Sequence, residues 1–308
     1  MTATGKREGA MRLGLLPPMS PATIGNPAYV RSLARSVEEA GAESIWTVEH
    51  ILVAENYEPR YPYSADGRMP GRRAALMPDP LQLLGFIGAN TERLQLGTSV
   101  VIAPQHPAVI LAKAVATLDM LSGGRVLLGV GSGWQIEEYR AVNVPYEGRG
   151  HRLDETIEAM RACWGPNPAT YAGTTVAFDR VDVDPKPTRA GGVPIVIGGS
   201  GAVAARRTGR RGDGWFPYVV GPEEVAAGIS TIRETAADAG RDPAAIEISV
   251  WPGSWDHNRA TDPALLSELA ALGVDRIVFA AHESGAADVD GVAAFVARMR
   301  GVLDDVSG

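Results

Sequence analysis

Short runs of β-branched and apolar residues alternate along this chain with longer stretches whose apolar positions recur at i, i+3, i+4 and i+7. That is the pattern of repeated strand-then-helix units. Eight strands are predicted: Arg12 to Pro17, Ser44 to His50, Leu94 to Ala103, Val126 to Gly133, Pro194 to Gly199, Gly214 to Val219, Ile246 to Trp251 and Arg276 to Ala281. Each leads into a helical stretch, over 26–41, 79–91, 107–121, 147–164, 201–211, 222–240, 262–272 and 289–306, with stop signals such as Gly41, Gly240 and Gly273. Eight such units point to a single-domain (β/α)8 TIM barrel over residues 11–308, preceded by a loose tail at 1–10. Barrels of about 250 residues and more are single domains, which outweighs a division into two by length.

Two connections are longer than plain barrel loops, 51–78 after strand 2 and 165–193 before strand 5, so the barrel is expected to carry insertions at both places. The first leaves a strand at the carboxyl end of the barrel, where active sites are built, and reads as a lid rich in Tyr57, Tyr61, Tyr63, Arg60 and Arg68. The second contains an alternating stretch, Thr174 to Val183, that reads as an extra hairpin.

Composition narrows the function class. A single cysteine among 308 residues permits neither an internal disulfide nor a thiolate cluster, and this points to a cytoplasmic protein. With 29 basic against 36 acidic residues, a net charge of −7, no nucleic-acid partner is expected. No apolar run reaches the roughly 18 residues of a membrane span, and Lys6 and Arg7 precede no apolar segment of a signal peptide. No metal is expected either: the first strand lacks a His-x-His pair and the chain has no His-Glu-x-x-His. The 36 glycines carry more information, because many stand at predicted strand ends.

The carboxyl ends of the strands supply the candidate chemistry. Strand 2 ends in Glu49-His50, and an imidazole steadied by a carboxylate suits proton transfer, although a lone histidine there serves as readily to cap the rim. Strand 3 continues as Gly97-Thr98-Ser99-Val100 and then Gln105-His106-Pro107, where His106 reads as a loop residue. Strand 4 ends Gly129-Val130-Gly131-Ser132-Gly133-Trp134, followed by Glu137 and Glu138; three alternate glycines weaken a strand unless something approaches its backbone closely. Strand 5 runs into Gly198-Gly199-Ser200-Gly201 and a helix start, an anion site made of backbone N–H groups. A Rossmann reading of that turn fails, since no acidic residue follows at the end of the next strand. Arg206, Arg207, Arg210 and Arg211 on the ensuing helix are expected to face solvent and complement the helix end. His257 and His282 are weaker rim candidates, His151 a surface residue and Cys163 a packing residue.

Taken in order, Glu49-His50, Leu96-Gly97-Thr98-Ser99-Val100, the helix Ala112 to Asp119, Ser122-Gly123-Gly124-Arg125, Gly129 to Trp134 and Ile197-Gly198-Gly199-Ser200 resemble the luciferase-like monooxygenase superfamily. More narrowly, they resemble its F420-dependent oxidoreductase branch. The resemblance implies a (β/α)8 barrel with coenzyme F420, or alternatively FMN, over the carboxyl face. It implies a non-prolyl cis peptide at Ser99-Val100 behind the ring and a phosphate held by Gly198, Gly199, Ser200 and Gly201; Gly131 and Ser132 are further expected cofactor contacts. Glu49 and His50 match the acidic–histidine pair at the reactive edge, with His50 handling a proton. The sugar-phosphate dehydrogenases of the family place a carboxylate directly after the strand 4 glycines, where this chain has Trp134, so their substrate is not carried over. Trp134, Glu137 and Tyr63 are the expected substrate contacts. The expectation is an F420-dependent oxidoreductase that moves a hydride to or from a carbonyl, imine or activated alkene, and that forms a homodimer or homotetramer as family members often do. An FMN-dependent monooxygenase is the alternative, and a non-catalytic flavin-binding protein is a third reading.

Overall fold

The computed structural model describes residues 10–69, 75–253 and 257–307. Among them, eight parallel strands close into a barrel: β1 (Arg12–Leu16), β2 (Ser44–Thr47), β3 (Gln95–Thr98), β4 (Val126–Val130), β7 (Ile195–Gly198), β8 (Gly214–Phe216), β9 (Glu247–Val250) and β10 (Arg276–Ala280). Successive strands pair in order, and β10 closes on β1 in the register Arg12↔Arg276 to Leu16↔Ala280. The helices that follow these strands are α1 (Pro27–Glu39), α2 (Pro80–Gly88), α3 (Ala108–Leu121), α5 (Arg149–Trp164), α6 (Ala202–Arg211), α7 (Pro222–Asp238), α9 (Pro263–Ala271) and α10 (Val289–Ser307). Two short helices, α4 (Ile136–Ala141) and α8 (His257–Ala260), sit in strand-to-helix connections and lie outside the eight predicted units. Each of the eight predicted strand–helix units is present.

The strands read as unbroken apolar runs because both faces are covered. Leu16, Trp46, Leu127, Val196, Phe216, Val278 and Ala280 fill the interior as one cluster. The alternate positions, such as Leu13, Leu15, Ile277 and Phe279, pack outward against the helices in a second, larger cluster. Three helix starts are legible as Asn-Pro or Asp-Pro: Asn26, Asp79 and Asp262 cap α1, α2 and α9 through side-chain oxygens that accept from Ala28, Gln82 and Ala264 N–H. The proline ring then fits the first helical position, where no N–H is needed.

The amino end of the barrel is closed by charge. Arg276, fully buried, donates to both carboxylate oxygens of Glu43 at 2.8 and 2.9 Å and to Ser249 Oγ at 2.8 Å, while Arg12 pairs with Glu247 at 2.9 Å. This plug leaves the opposite, carboxyl end free for the site.

The insertion before β7 does contain a hairpin, but it runs over β5 (Ala169–Ala172) and β6 (Ala177–Val181), earlier than the expected Thr174 to Val183. Thr174 and Thr175 are turn residues, because their N–H and hydroxyl groups all donate to the Glu155 carboxylate on α5. Strand 3 is also shorter than expected. Gly97 pairs with Leu127 and the next ladder contact is Val101 with Val130, so β3 spends one more residue than β4 over the same interval, a bulge.

Candidate active site at the carboxyl end of the barrel

Past Thr47, where β2 ends, the adjacent side chains of Glu49 and His50 find different partners. Glu49 turns toward β3. Its buried carboxylate accepts from Ile102 N–H at 2.6 Å and from His106 Nε2–H at 3.0 Å. His50 turns toward β4 and donates from Nδ1 to Glu138 Oε1 at 3.1 Å. The expected pairing of Glu49 with His50 is therefore replaced by two separate pairs, and His106, read from sequence as a loop residue, is part of one of them. Burial alone would lower the His106 pKa, but the Glu49 hydrogen bond and charge outweigh it and hold the imidazole above its usual range.

The Ser99–Val100 peptide is cis, at the bulge. Ser99 N–H donates to Thr47 O at 2.7 Å, and Val101 N–H to Gly129 O at 2.9 Å. The glycines around this bulge have a different cause from the one expected. A Cβ at Gly129 would fall 1.8 Å from Thr98 O, and Cβ atoms at Gly131 and Gly198 would each meet Val100 methyls at 2.6 Å. Trp46 crowds Gly97 in the same way, and Ile102 crowds Gly133. The bare backbone thus makes room for the chain's own bulge, which it presents half-buried at the rim as Ser99 and Val100. Ser132 contributes its carbonyl, which accepts from Tyr139 Oη at 2.6 Å.

Gly201 is different. No atom lies within 4 Å of a Cβ placed on it, and it caps α6 without any side-chain hydrogen bond. Ala204 N–H turns back to Gly201 O at 2.9 Å, which leaves the N–H groups of Ala202 and Val203, with the positive dipole end of α6, as a candidate anion site beside that open space. Gly199 turns the chain there at φ +121°, a conformation that favours glycine. The Ser200 hydroxyl is engaged by the protein itself, donating to Tyr218 O at 2.7 Å and accepting from Tyr218 N–H at 3.0 Å. Two of the four α6 arginines are also committed: Arg207 pairs with Asp154 at 2.6 Å and Arg211 with Glu158 at 2.7 Å, both on α5, whereas Arg206 and Arg210 are exposed as expected. A half-buried bulge beside an uncapped helix start suits a flat ring with an anionic tail.

The insertion after β2 is fastened over this face. Glu58 N–H donates to Glu137 Oε1 at 3.1 Å, Leu52 N–H to Glu138 Oε1 at 3.4 Å, and Met69 N–H to Tyr57 Oη at 2.8 Å. Trp134 is the hub, with ring centroids 5.7 Å from His50, 5.0 Å from Tyr57 and 5.4 Å from Tyr61. The rings continue from Tyr61 to Tyr63, to Tyr218 past β8 and to Trp251 past β9. Sequence reasoning named Trp134 and Tyr63 but not Tyr218 or Trp251; their position at strand ends is the signal that could have found them. It named Glu138 without giving it His50 as partner. His282 lies half-buried in the turn after β10, and the side chain of His257 lies outside the described residues. His151 is exposed, and Cys163 is buried within α5 with its thiol pKa pushed up by that burial.

Comparison with known proteins agrees with this architecture. The chain is 33% identical over 275 residues to an uncharacterised protein of Mycobacterium tuberculosis (strain ATCC 25618 / H37Rv), covering 88% of this chain and 92% of the relative. It is 30% identical over 258 residues to the F420-dependent glucose-6-phosphate dehydrogenase of Segniliparus rotundus, covering 79% and 71%. Among solved structures, the coenzyme F420-dependent tetrahydromethanopterin reductase of Methanopyrus kandleri superposes with a TM-score of 0.70 at 17% identity, covering 94% of this chain and 97% of that one. The luciferase-like monooxygenase model matches residues 11–288, and with the closed barrel and the site at its carboxyl end, the chain belongs to that family and is an oxidoreductase.

Proposed function

We propose that the protein is an F420-dependent oxidoreductase acting on a carbonyl, imine or activated alkene. The observation that carries this reading is the nearness of three features: the Ser99–Val100 bulge, the uncapped start of α6 at Gly201, and the His50–Glu138 pair. The bulge and the turn before α6 meet where Gly198 leaves room for Val100. His50 stands at the end of β2, the neighbour of β3.

In this reading Ser99 and Val100 back the ring, and the N–H groups at the start of α6 hold the phosphate. When bound, the deazaflavin supplies or accepts a hydride, two electrons and one hydrogen nucleus, so the protein must manage only the accompanying proton. His50 does this at Nε2. Glu138 accepts from Nδ1–H and so fixes the tautomer, which leaves Nε2 as the nitrogen that takes or gives the proton. Glu49 has a positioning role: it fixes Ile102 and His106 just past the bulge and so holds the backing of the ring. The lid, stitched to Glu137 and Glu138, excludes water from the reacting atoms.

The test is equilibrium binding of F420 and of FMN to the purified protein, followed by fluorescence. F420 is expected to bind more tightly. Preference for FMN, with oxygen uptake once it is reduced, overturns the F420 assignment in favour of a flavin monooxygenase. Gly201→Asp places a carboxylate in open space before α6 and is expected to abolish cofactor binding while the fold is kept. Gly199 is less suitable for this purpose, because any side chain at φ +121° strains the backbone.

A further inference from the structure

The rim of the barrel bears on which substrate an oxidoreductase of the proposed kind accepts, so a substrate class drawn from it rests on that reading of the site. Cations are scarce where a substrate must enter. The connections leaving β1, β3, β7, β8 and β10, at 17–26, 99–107, 199–201, 217–221 and 281–288, contain no lysine or arginine at all. Of the described arginines in the remaining connections, Arg60 is exposed and paired with Glu58 at 2.7 Å, while Arg140 and Arg259 are exposed on α4 and α8. Arg68 is exposed and lies over the Tyr57 ring.

Carboxylates, in contrast, gather at this end. Glu49, Glu137, Glu138 and Glu283 are held there by backbone and ring N–H groups, and Glu137 Oε2 is buried without a hydrogen-bond partner among the described residues. Between them stands the belt of half-buried rings, Trp134, Tyr61, Tyr63, Tyr218 and Trp251. The Tyr61 and Tyr63 hydroxyls stay uncharged. Burial first, then the neighbouring Tyr218, holds the Tyr61 phenol far above its ordinary pKa, and burial raises Tyr63 as well.

A phosphorylated substrate would find the half-buried cations of this rim already committed, Arg149 to Gly133 O at 3.2 Å and to the Tyr146 ring and His106 to Glu49, with further carboxylates beside them, so both attraction and steering disfavour it. A flat or cyclic apolar body, by contrast, gains from covering ring surface. We propose that the substrate is an uncharged carbonyl compound with an apolar cyclic body, seated against the belt of Trp134, Tyr61 and Trp251, and that phosphorylated sugars are excluded.

The probes are 2-tetralone, 2-cyclohexen-1-one and glucose 6-phosphate. Each is titrated into the full-length protein, with and without F420, and read by quenching of tryptophan emission and by calorimetry. At least one of the neutral ketones is expected to bind saturably, at least ten-fold more tightly than glucose 6-phosphate and with an affinity unchanged between 0.05 and 0.5 M salt, the range over which a charge-driven contact weakens. Tyr61→Lys adds a cation on the lid and should reverse the preference, weakening the ketone and strengthening the sugar phosphate. Trp134→Ala should cost the ketone ten-fold or more with F420 affinity unchanged. Equal or tighter binding of glucose 6-phosphate, or no saturable binding of either ketone, overturns the proposal. Loss of F420 binding with ketone binding intact overturns only the cofactor assignment.

Discussion

His50 and Glu138 lie 88 residues apart in the chain, yet Nδ1 of one is 3.1 Å from Oε1 of the other, and the carboxylate is all but sealed from solvent. The same oxygen accepts from Leu52 N–H, so one carboxylate aims the imidazole and anchors the first residues of the lid. Trp134 meets the imidazole in an edge-to-face arrangement, its ring plane tilted 72° from that of His50.

Removing either member of this pair should therefore damage turnover and spare the cofactor. His50→Ala is expected to lower kcat by about 10²-fold or more, the usual scale of a lost general acid or base. Glu138→Gln should lower it by at least about 10-fold, because the orienting group keeps its shape and loses its charge. F420 affinity should stay within a few-fold in both. Steady-state kinetics beside cofactor titration decides, and unchanged kcat in H50A assigns His50 to the rim alone.

The glycines of the site should separate into two kinds. Gly129→Ala drives a methyl into Thr98 O and is expected to cost about 3 kcal/mol or more of stability, as overpacking against a rigid neighbour does. Gly201→Ala meets open space in an ordinary backbone conformation, so its stability should change by less than about 1 kcal/mol, with cofactor affinity reduced. Chemical denaturation and cofactor titration of the two variants measure the contrast. Equal stability losses would refute it.

The Glu49–His106 pair predicts a pH dependence. The folded pKa of His106 is raised above its ordinary 6.5, so the folded state holds the proton more tightly than the unfolded chain. Its contribution to stability is fully present below about pH 6.5 and fades as pH rises through the folded value. The Tm of the wild type should exceed that of His106→Gln by most near pH ~6, with the gap closing above that range. Thermal melts across pH check this, and a gap that widens with rising pH contradicts it.

At the opposite end of the barrel, Arg276→Ala would strand Glu43 without its bidentate partner. Breaking such a pair is expected to cost about 3 kcal/mol or more. Because the plug lies far along the strands from His50, kcat of the protein that remains folded should be unchanged. Denaturant midpoints and kinetics on the same preparation test both halves of this statement.

What the sequence determines on its own is whatever is carried locally or by repetition. Apolar periodicity marks the eight strand–helix units, Asn26-Pro27, Asp79-Pro80 and Asp262-Pro263 mark helix starts, and the resemblance in motif order places the Ser99–Val100 peptide that is indeed cis. Periodicity is a property of neighbours three or four residues apart, so it survives in one dimension. Which groups meet across the barrel is not. Glu49 and His50 are adjacent in sequence, but only closure of β2, β3 and β4 side by side gives one to His106 and the other to Glu138. The glycines are legible as a set, yet their cause is tertiary: Val100 and Thr98 occupy the space that side chains at Gly129, Gly131 and Gly198 would need, while Gly201 alone of that group keeps its space open. The barrel's closure, which no local pattern encodes, decides which bare backbone serves packing and which is left to face a ligand.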